Sequence, residues 1–254
     1  KAAEKEGVTN FPIHIKLDTG MHRLGFAPQD VPELIARLKR QTSVIPRSVF
    51  SHLAGSDGDQ FDSFTRKQIE TFEKASEELQ SAFPHKILRH ICNTAGIQRY
   101  PGAQFEMVRL GLGLYGVDPY TNQMLHNVST LKTTILQIRD VPQEDSVGYS
   151  RKGRLNRDSR IAAIPIGYAD GLNRRLGNGN AYCLVNGQKA PYVGNICMDV
   201  CMIDVTDIDC REGDKVIIFG DDLPVTVLSD VLETIPYEIL TSVSNRVKRI
   251  YYQD

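Results

Sequence analysis

The run IHIKLDTGMHRLG at residues 13–25 decides the fold of the first half of the chain. Apolar and polar residues alternate at its start, and a period of two residues predicts a β-strand over 13–18. Thr19-Gly20 then ends the strand, and Arg23 follows in the loop. A strand that ends in polar groups, a glycine turn and an arginine suits a small anionic ligand, although an ordinary strand with one solvated face has the same pattern.

Composition limits the function classes. The chain has 254 residues and is 41% hydrophobic, enough for one large core or two ordinary ones. Its 30 basic and 31 acidic residues leave a formal charge of −1, which argues against electrostatic binding of nucleic acid. No apolar run approaches the roughly 18 residues that span a bilayer, so no membrane partner is expected. The five cysteines lack metal-ligand spacing, so we expect free thiols, no metal site and a reducing, cytoplasmic setting.

The first half of the chain repeats a strand followed by a helix or a loop. The predicted strands are 13–18, 47–53, 86–92 and 106–110, and the predicted helices are 28–41 and 61–83. This alternation is typical of parallel strands in a (β/α) barrel or an open α/β sheet. Since a complete eight-stranded barrel needs on the order of 250 residues, four strands over 1–125 predict half a barrel, with the other half outside this chain. The alternative is an open four-stranded sheet that the second half of the chain covers.

From residue 126 on, strand-like runs follow one another closely. They lie at 131–139, 160–166, 181–185, 196–205, 215–219 and 246–252, with one short helix at 226–234. Asn186-Gly187 is a strong signal for a β-hairpin turn. The pattern predicts a mostly β domain over 126–254, built as a small barrel or sandwich.

Polar residues stand at or just past the end of each predicted parallel strand. They are Lys16, Arg23, His52, Asn93, Thr94 and Arg109, followed by Gly111-Leu112-Gly113. In a barrel these strand ends converge on one mouth. The Thr94 hydroxyl and the glycine-rich backbone at 111–113 form a candidate phosphate cradle, because bare N–H groups can approach an anion closely. Each residue taken singly also fits a core histidine, a helix cap or a tight turn, but their joint placement favours a site.

Six ordered motifs resemble bacterial alanine racemases over nearly the whole chain. They are KLDTGMHRLG (16–25), NTAG (93–96), VRLGLGLYG (108–116), VGYS (147–150), IPIGYADG (164–171) and VGNICMDVCMIDVT (193–206). The resemblance implies a pyridoxal 5′-phosphate enzyme with an N-terminal (β/α)₈ barrel and a C-terminal β domain. It implies interconversion of L- and D-alanine for peptidoglycan synthesis by a homodimer whose subunits share each active site. By this resemblance the chain holds barrel strands five to eight and the β domain.

The resemblance also assigns the acid–base residues. Racemisation needs two acid/base groups on opposite faces of the substrate, and Tyr149 matches the one that takes the α-proton of L-alanine. Because a free phenol ionises only near pH ~10, Tyr149 needs a neighbour that favours its anion, and the resemblance makes this neighbour His52, bonded to Arg109. Arg109 matches the arginine that faces the pyridine nitrogen. Since a guanidinium stays protonated, that nitrogen stays unprotonated.

Substrate contacts follow from the same resemblance. Arg23 matches an arginine that contacts the phenolic oxygen of the cofactor and the substrate carboxylate. Lys16 matches a lysine that is often carbamylated, and the added negative charge would hold Arg23 in place. Met198 matches a residue whose backbone N–H meets the substrate carboxylate, and Tyr168 matches the inner gate of the entry channel.

The resemblance places the cofactor phosphate on Thr94, Gly111 and Leu112, with Asn93 in support. The run Ser244-Asn245-Arg246-Val247 departs from the Ser-Tyr-Arg-Val of some members, so the phosphate contact of that tyrosine is in doubt here. His22 stands where glycine is common, and we expect little effect from this difference.

The largest departure concerns the Schiff-base lysine, which the family carries in a run like VKANAYGHG. No such run occurs here, so we predict that this chain alone is inactive. Four alternatives remain: a racemase of the same fold for serine or another amino acid, the racemase part of a fusion with the D-alanyl-D-alanine-adding ligase, a non-catalytic fragment that dimerises and binds the cofactor, and an unrelated phosphate-binding α/β enzyme.

Overall fold

The computed structural model describes residues 2–252. The chain forms two compact units. The first runs to Leu114 and also includes Asp118–Asn122, and the second comprises Tyr115–Val117 and the chain from Gln123 on. Within the described range, no helix is long and apolar enough to cross a membrane.

The first unit alternates strands and helices in the predicted order. Its elements are α1 (Ala2–Lys5), β1 (Phe11–Lys16), α2 (Val31–Lys39), β2 (Val44–Phe50), α3 (Asp62–Ser81), β3 (Leu88–His90) and α4 (Thr94–Arg99). The three strands pair in the order β1-β2-β3, and both pairings are parallel. This finding confirms the predicted parallel arrangement of these three strands, which brings their carboxyl ends to one edge of the sheet.

One face of this sheet is packed against α2 and α3. Ile15 in β1 and Leu17, which directly follows it, are buried on one side of the strand, and α3 contributes Phe72 and Leu79, which are fully buried in the same hydrophobic core. A side chain of this size stabilises the fold by about 1.5–3 kcal/mol when it is buried. Packing of these apolar faces leaves the opposite side of the strands free for polar residues.

The predicted strand at 106–110 is not formed. The prediction of four strands in the first unit is therefore wrong, and its sheet has three. Exposure does alternate along this run, and two backbone bonds join it to the β3 segment, Glu106 N–H to Arg89 O (3.3 Å) and Arg109 N–H to Cys92 O (3.0 Å). The run begins from a left-handed residue, Phe105 (φ 49°), so it approaches β3 at a turn. Two bonds three residues apart do not make a ladder.

The second unit is mostly β, as predicted. Its elements are β4 (Leu131–Thr134), β5 (Gln137–Val141), β6 (Ser146–Val147), β7 (Gly153–Arg154), β8 (Ser159–Ile164), β9 (Tyr182–Val185), β10 (Gln188–Val193), β11 (Cys201–Asp204), β12 (Lys215–Phe219), α5 (Val225–Leu232) and α6 (Pro236–Ser242). Among these residues, a seven-stranded sheet has the order β4-β12-β9-β10-β11-β8-β5, and β6 pairs with β7.

Three strand predictions in this unit are wrong, two in their extent and one altogether. The run 131–139 is two strands, because the chain leaves the β12 edge at Ile135 and joins the β8 edge at Leu136. In 196–205, only β11 is a strand, since Cys197 N–H closes a turn onto Val200 O (3.0 Å). Residues 246–252 form no strand, because this segment bonds back on itself, with Arg249 donating to Val243 O (3.0 Å). The pattern also missed α6, which begins at a proline in the first turn.

The hairpin turn at Asn186-Gly187 is confirmed. Both residues are left-handed, with φ of 49° and 76°, as a type I′ turn requires. They connect β9 to β10, with Val185 paired to Gln188.

Gly187→Ala is expected to lower the free energy of unfolding by about 1 kcal/mol. A Cβ at this position meets nothing within 4 Å, so the loss comes from backbone strain alone. Gly102→Ala is the matched control, because Gly102 has equal space around it and no left-handed φ. Urea unfolding of both variants checks the prediction, and an equal midpoint for the two would contradict it.

Candidate active site

The predicted site residues of the first unit gather at the carboxyl edge of its sheet. Lys16 ends β1, His52 follows β2, and Asn93 and Thr94 follow β3. Burial, and then the cations Arg109, Arg23 and Lys16, lower the pKa of His52, so these three charges act on the same imidazole. The parallel register explains this arrangement, because equivalent ends of parallel strands lie side by side.

Arg109 lies at the centre of this group and is bound by neutral acceptors. Its Nη1 donates to His90 Nδ1 (2.5 Å) and His90 O (3.2 Å). Its Nη2 donates to Ser51 O (2.7 Å), Ile91 O (3.1 Å) and His52 Nδ1 (3.3 Å). Within residues 2–252, no carboxylate pairs with this guanidinium. Burial lowers the pKa of Arg109, and the group remains a cation at neutral pH.

The guanidinium sets the tautomers of both histidines. Because a guanidinium can only donate, the Nδ1 atoms of His52 and His90 must accept and their Nε2 atoms carry the proton. His90 Nε2 then donates to Ser48 Oγ (3.1 Å), and Ser48 donates to His14 Nδ1 (2.6 Å). Burial, and then the Arg109 cation, lowers the pKa of both His52 and His90 to about 4. Both imidazoles are therefore neutral at pH 7.

Sequence reasoning missed His90 and Ser48. Lys16, Phe50 and His90 are register partners across the three strands, and the His90 ring stacks on the Phe50 ring at 5.0 Å. In the predicted strand 86–92, the alternation in RHIC places His90 and Cys92 on the same face. That alternation, combined with the strand register, is the signal that could have identified it.

The candidate phosphate cradle is formed in the first unit. Thr94 Oγ1 accepts the N–H of Gly111 (2.9 Å) and of Gly113 (3.2 Å). A Cβ at Gly113 would lie 2.7 Å from Thr94 Cγ2, so only glycine allows this close approach. Asn93 caps α4 by accepting the N–H of Gly96 (2.9 Å), and Leu112 is buried.

Thr94→Val is expected to lower the free energy of unfolding by about 1–3 kcal/mol, because two backbone N–H groups lose their acceptor. Amide exchange at Gly111 and Gly113 should also become faster, and NMR can follow both effects. Thr94→Ser keeps the hydroxyl and is the control. Equal exchange rates in the two variants would show that the hydroxyl does not hold this loop.

The second unit carries the other three predicted site residues on exposed loops. The exposed fractions are 71% for Tyr149, 44% for Tyr168 and 53% for Met198. The structure brings the last two together, since Tyr168 N–H donates to Cys197 O (3.0 Å) and Ala169 N–H donates to Met198 O (3.0 Å). Large side chains exposed on ordered loops are suited to contact a ligand or another chain.

Tyr149 is presented by an unusual backbone. Gly148, Ser150 and Arg151 all have left-handed φ values, of 77°, 57° and 51°. Asn195 Nδ2 donates to Tyr149 O (3.3 Å), and Arg151 Nε donates to Ser146 Oγ (2.9 Å). Left-handed non-glycine residues cost free energy and often occur at functional sites.

All five cysteines are free, as predicted. Across the described range, no group of three or more histidine, cysteine, aspartate or glutamate residues could hold a metal ion.

Comparison with models of known protein families shows which family the chain belongs to. The family model for the alanine racemase N-terminal domain matches residues 1–119, and the model for the C-terminal domain matches residues 128–251. The chain belongs to the alanine racemase family. This confirms the predicted family. It also corrects the description of the chain as a C-terminal piece, because both domains of the alanine racemase family are matched.

Individual alanine racemases agree with this result. Alanine racemase 1 of Clostridium acetobutylicum is 38% identical over 100% of this chain and 68% of its own length. Alanine racemase 2 of Caldanaerobacter subterraneus is 40% identical over 94% of the chain and 64% of its own length. The chain thus spans about two thirds of these relatives.

Solved alanine racemase structures share the fold. The enzyme of Bartonella henselae with covalently bound pyridoxal phosphate has a TM-score of 0.85 and 34% identity, covering 99% of this chain and 69% of that one. The enzyme of Bacillus anthracis with bound L-Ala-P has a TM-score of 0.89 and 30% identity, covering 100% and 68%.

Proposed function

We propose that the protein is a pyridoxal 5′-phosphate-dependent alanine racemase, which interconverts L- and D-alanine and so supplies D-alanine for peptidoglycan. The observation that carries this proposal is the Arg109 cluster, a half-buried guanidinium held by neutral acceptors and flanked by neutral His52, in a chain of the alanine racemase family. The three parallel strands β1–β3 would form part of the family's (β/α)₈ barrel.

The residues present fit the cofactor. Thr94 Oγ1 accepts the N–H groups of Gly111 and Gly113, so its own O–H can donate to a phosphate, and the close approach of Gly113 to Thr94 holds this hydroxyl in place. Arg109 would face the pyridine nitrogen as a permanent donor. When bound, the cofactor withdraws electrons from the substrate α-carbon and so makes its proton acidic.

Two protein groups would handle the proton taken from L-alanine. Tyr149 would accept it at its phenolic oxygen, as the resemblance implies. His52 is suited to support the phenolate, because its Nδ1 accepts from Arg109 and its Nε2–H is left as a donor. A neutral donor stabilises a phenolate without giving up a proton, and the low pKa of His52, about 4, is consistent with this role.

The substrate carboxylate would meet Arg23 and the Met198 N–H, with Tyr168 gating the entry. A carbamylated Lys16 would hold Arg23. We propose a homodimer in which Tyr149, Tyr168 and Met198 serve the cofactor site of the partner subunit. All three side chains are exposed on the surface of the second unit, where a partner subunit could reach them, and this exposure supports the proposal.

The test is racemisation of L-alanine with added cofactor, measured with D-amino-acid detection for both the complete product of the gene and the 254-residue chain. We expect activity from the complete product and none from the chain alone, because no lysine of the chain matches the Schiff-base motif. Faster turnover of serine in a substrate panel would show a serine racemase. Cofactor binding and dimerisation by the complete product without turnover would show a non-catalytic module.

A further inference from the structure

The C-terminal run Ser244-Asn245-Arg246-Val247 binds both loops that carry the proposed substrate contacts of the second unit. Arg246 Nε donates to Asp170 Oδ1 (2.7 Å), and Arg246 Nη2 donates to Asp199 Oδ1 (2.7 Å). Asp170 belongs to the loop of Tyr168, and Asp199 follows Met198 in the chain. One guanidinium therefore bridges two loops that are distant in sequence.

The backbone segments around this bridge lie so close together that two positions have no room for a side chain. A Cβ at Gly167 would lie 2.3 Å from both Cys197 O and Met198 O, and a Cβ at Gly171 would lie 2.4 Å from Ser242 O. Ser244 N–H also donates to Asp170 O (3.0 Å). The C-terminal run is thus fixed to the Tyr168 loop by its backbone as well as by Arg246.

The bridge also places the positive charge of Arg246 between two carboxylates, Asp170 and Asp199. Asp170 is only 14% exposed, and its Oδ2 accepts the Gly167 N–H (2.9 Å). Hydrogen bonding from Arg246 opposes the effect of burial, and the pKa of Asp170 is lowered, so this carboxylate is charged at neutral pH. Asp199 adds a second carboxylate one residue from the N–H group that would bind the substrate carboxylate. Without a cation between them, both charges would repel the carboxylate of the substrate.

We propose that Arg246 is a positioning residue of the substrate-carboxylate site, which holds the Tyr168 and Met198 loops together and neutralises Asp170 and Asp199. This inference rests on the proposed function for its catalytic consequence, whereas the loop clamp itself does not. Arg246 acts through its two neighbours and touches no reacting atom.

The clamp is tested on the 254-residue chain, without cofactor, by amide hydrogen exchange. Arg246→Gln is expected to speed exchange at Tyr168 and Ala169 at least tenfold, because their bonds to the Met198 loop open more often, and to leave Tyr192, in the sheet, unchanged. Arg249→Gln is the matched control, since Arg249 loses the same charge in the same segment but donates only to backbone carbonyls. Unchanged exchange at Tyr168 and Ala169 would overturn the clamp, and Arg246→Lys tests it in the same way if the glutamine variant fails to fold.

The charge role is tested by steady-state kinetics of the complete gene product with added cofactor. Arg246→Gln is expected to raise KM for alanine about tenfold, with a smaller change in kcat. Adding Asp170→Asn and Asp199→Asn to Arg246→Gln should return KM toward that of the parent, which a merely structural role would not produce. No rescue would overturn the charge role. If the gene product does not racemise alanine at all, the proposed function fails, while the exchange experiment still decides the clamp.

Discussion

Tyr149→Phe is expected to lower the rate of alanine racemisation in the complete gene product by a factor of about 10²–10⁴, the usual contribution of a positioned acid or base. The substitution removes only the phenolic oxygen that would accept the α-proton. Stability should stay within about 0.5 kcal/mol, because the side chain is 71% exposed and its hydroxyl bonds to no other residue in 2–252. Kinetics with alanine and a thermal melt of the same preparation check both parts.

A comparison of the two enantiomers tests the role of Tyr149 more sharply than the overall loss of rate does. In D₂O, Tyr149→Phe should slow α-proton exchange of L-alanine far more than exchange of D-alanine, whose proton the other base removes. Tyr251→Phe is the control, because Tyr251 is also a highly exposed tyrosine, at 86%. Activity within threefold of the parent, or equal loss of exchange for both enantiomers, would exclude Tyr149 as the base for L-alanine.

Local pattern predicted the parts of this fold whose hydrogen bonds are local or repetitive. Alternation placed β1 and β2 within a few residues, and Asn186-Gly187 fixed a turn that only left-handed residues can form. The same signal failed at 106–110 and 246–252, where residues suited to strands find no partner strand. A ladder needs a neighbour in register, and a single sequence does not show that neighbour.

The residues of the candidate site likewise fall into those that the sequence predicted and those that it missed. Residues at strand ends, such as His52 and Thr94, could be predicted because parallel strands place their ends together. His90 and Arg246 were missed, because their importance comes from partners far along the chain, and the register that would have identified His90 is not shown by a single sequence. His90 depends on Arg109 and Ser48, and Arg246 depends on Asp170 and Asp199. Neither set shares a motif or a spacing.

Stability is expected to fall steeply between pH 6.5 and pH 4 because of His90. Burial and the Arg109 cation lower its pKa in the folded protein to about 4, against 6.5 for an ordinary histidine. The unfolded chain therefore binds a proton at a pH where the folded chain does not, and protonation favours unfolding. Stability from this group is complete above pH 6.5, declines as the pH falls to about 4, and then levels off. Its size is about 3 kcal/mol, since His90 is only 5% exposed.

Protonation of His52 also lowers the free energy of unfolding as the pH falls, because its pKa is lowered too. This contribution is smaller than that of His90, because His52 is partly exposed and solvent screens its interactions with the nearby cations. Urea unfolding at several pH values measures the sum, and NMR titration of the imidazole carbons separates the two rings. His90→Asn should remove most of the pH dependence in this range, whereas His126→Gln, at an exposed position, should leave it unchanged. A His90 titration midpoint above 6 would contradict the prediction, because the ring could then carry a proton beside Arg109 and could no longer accept its N–H.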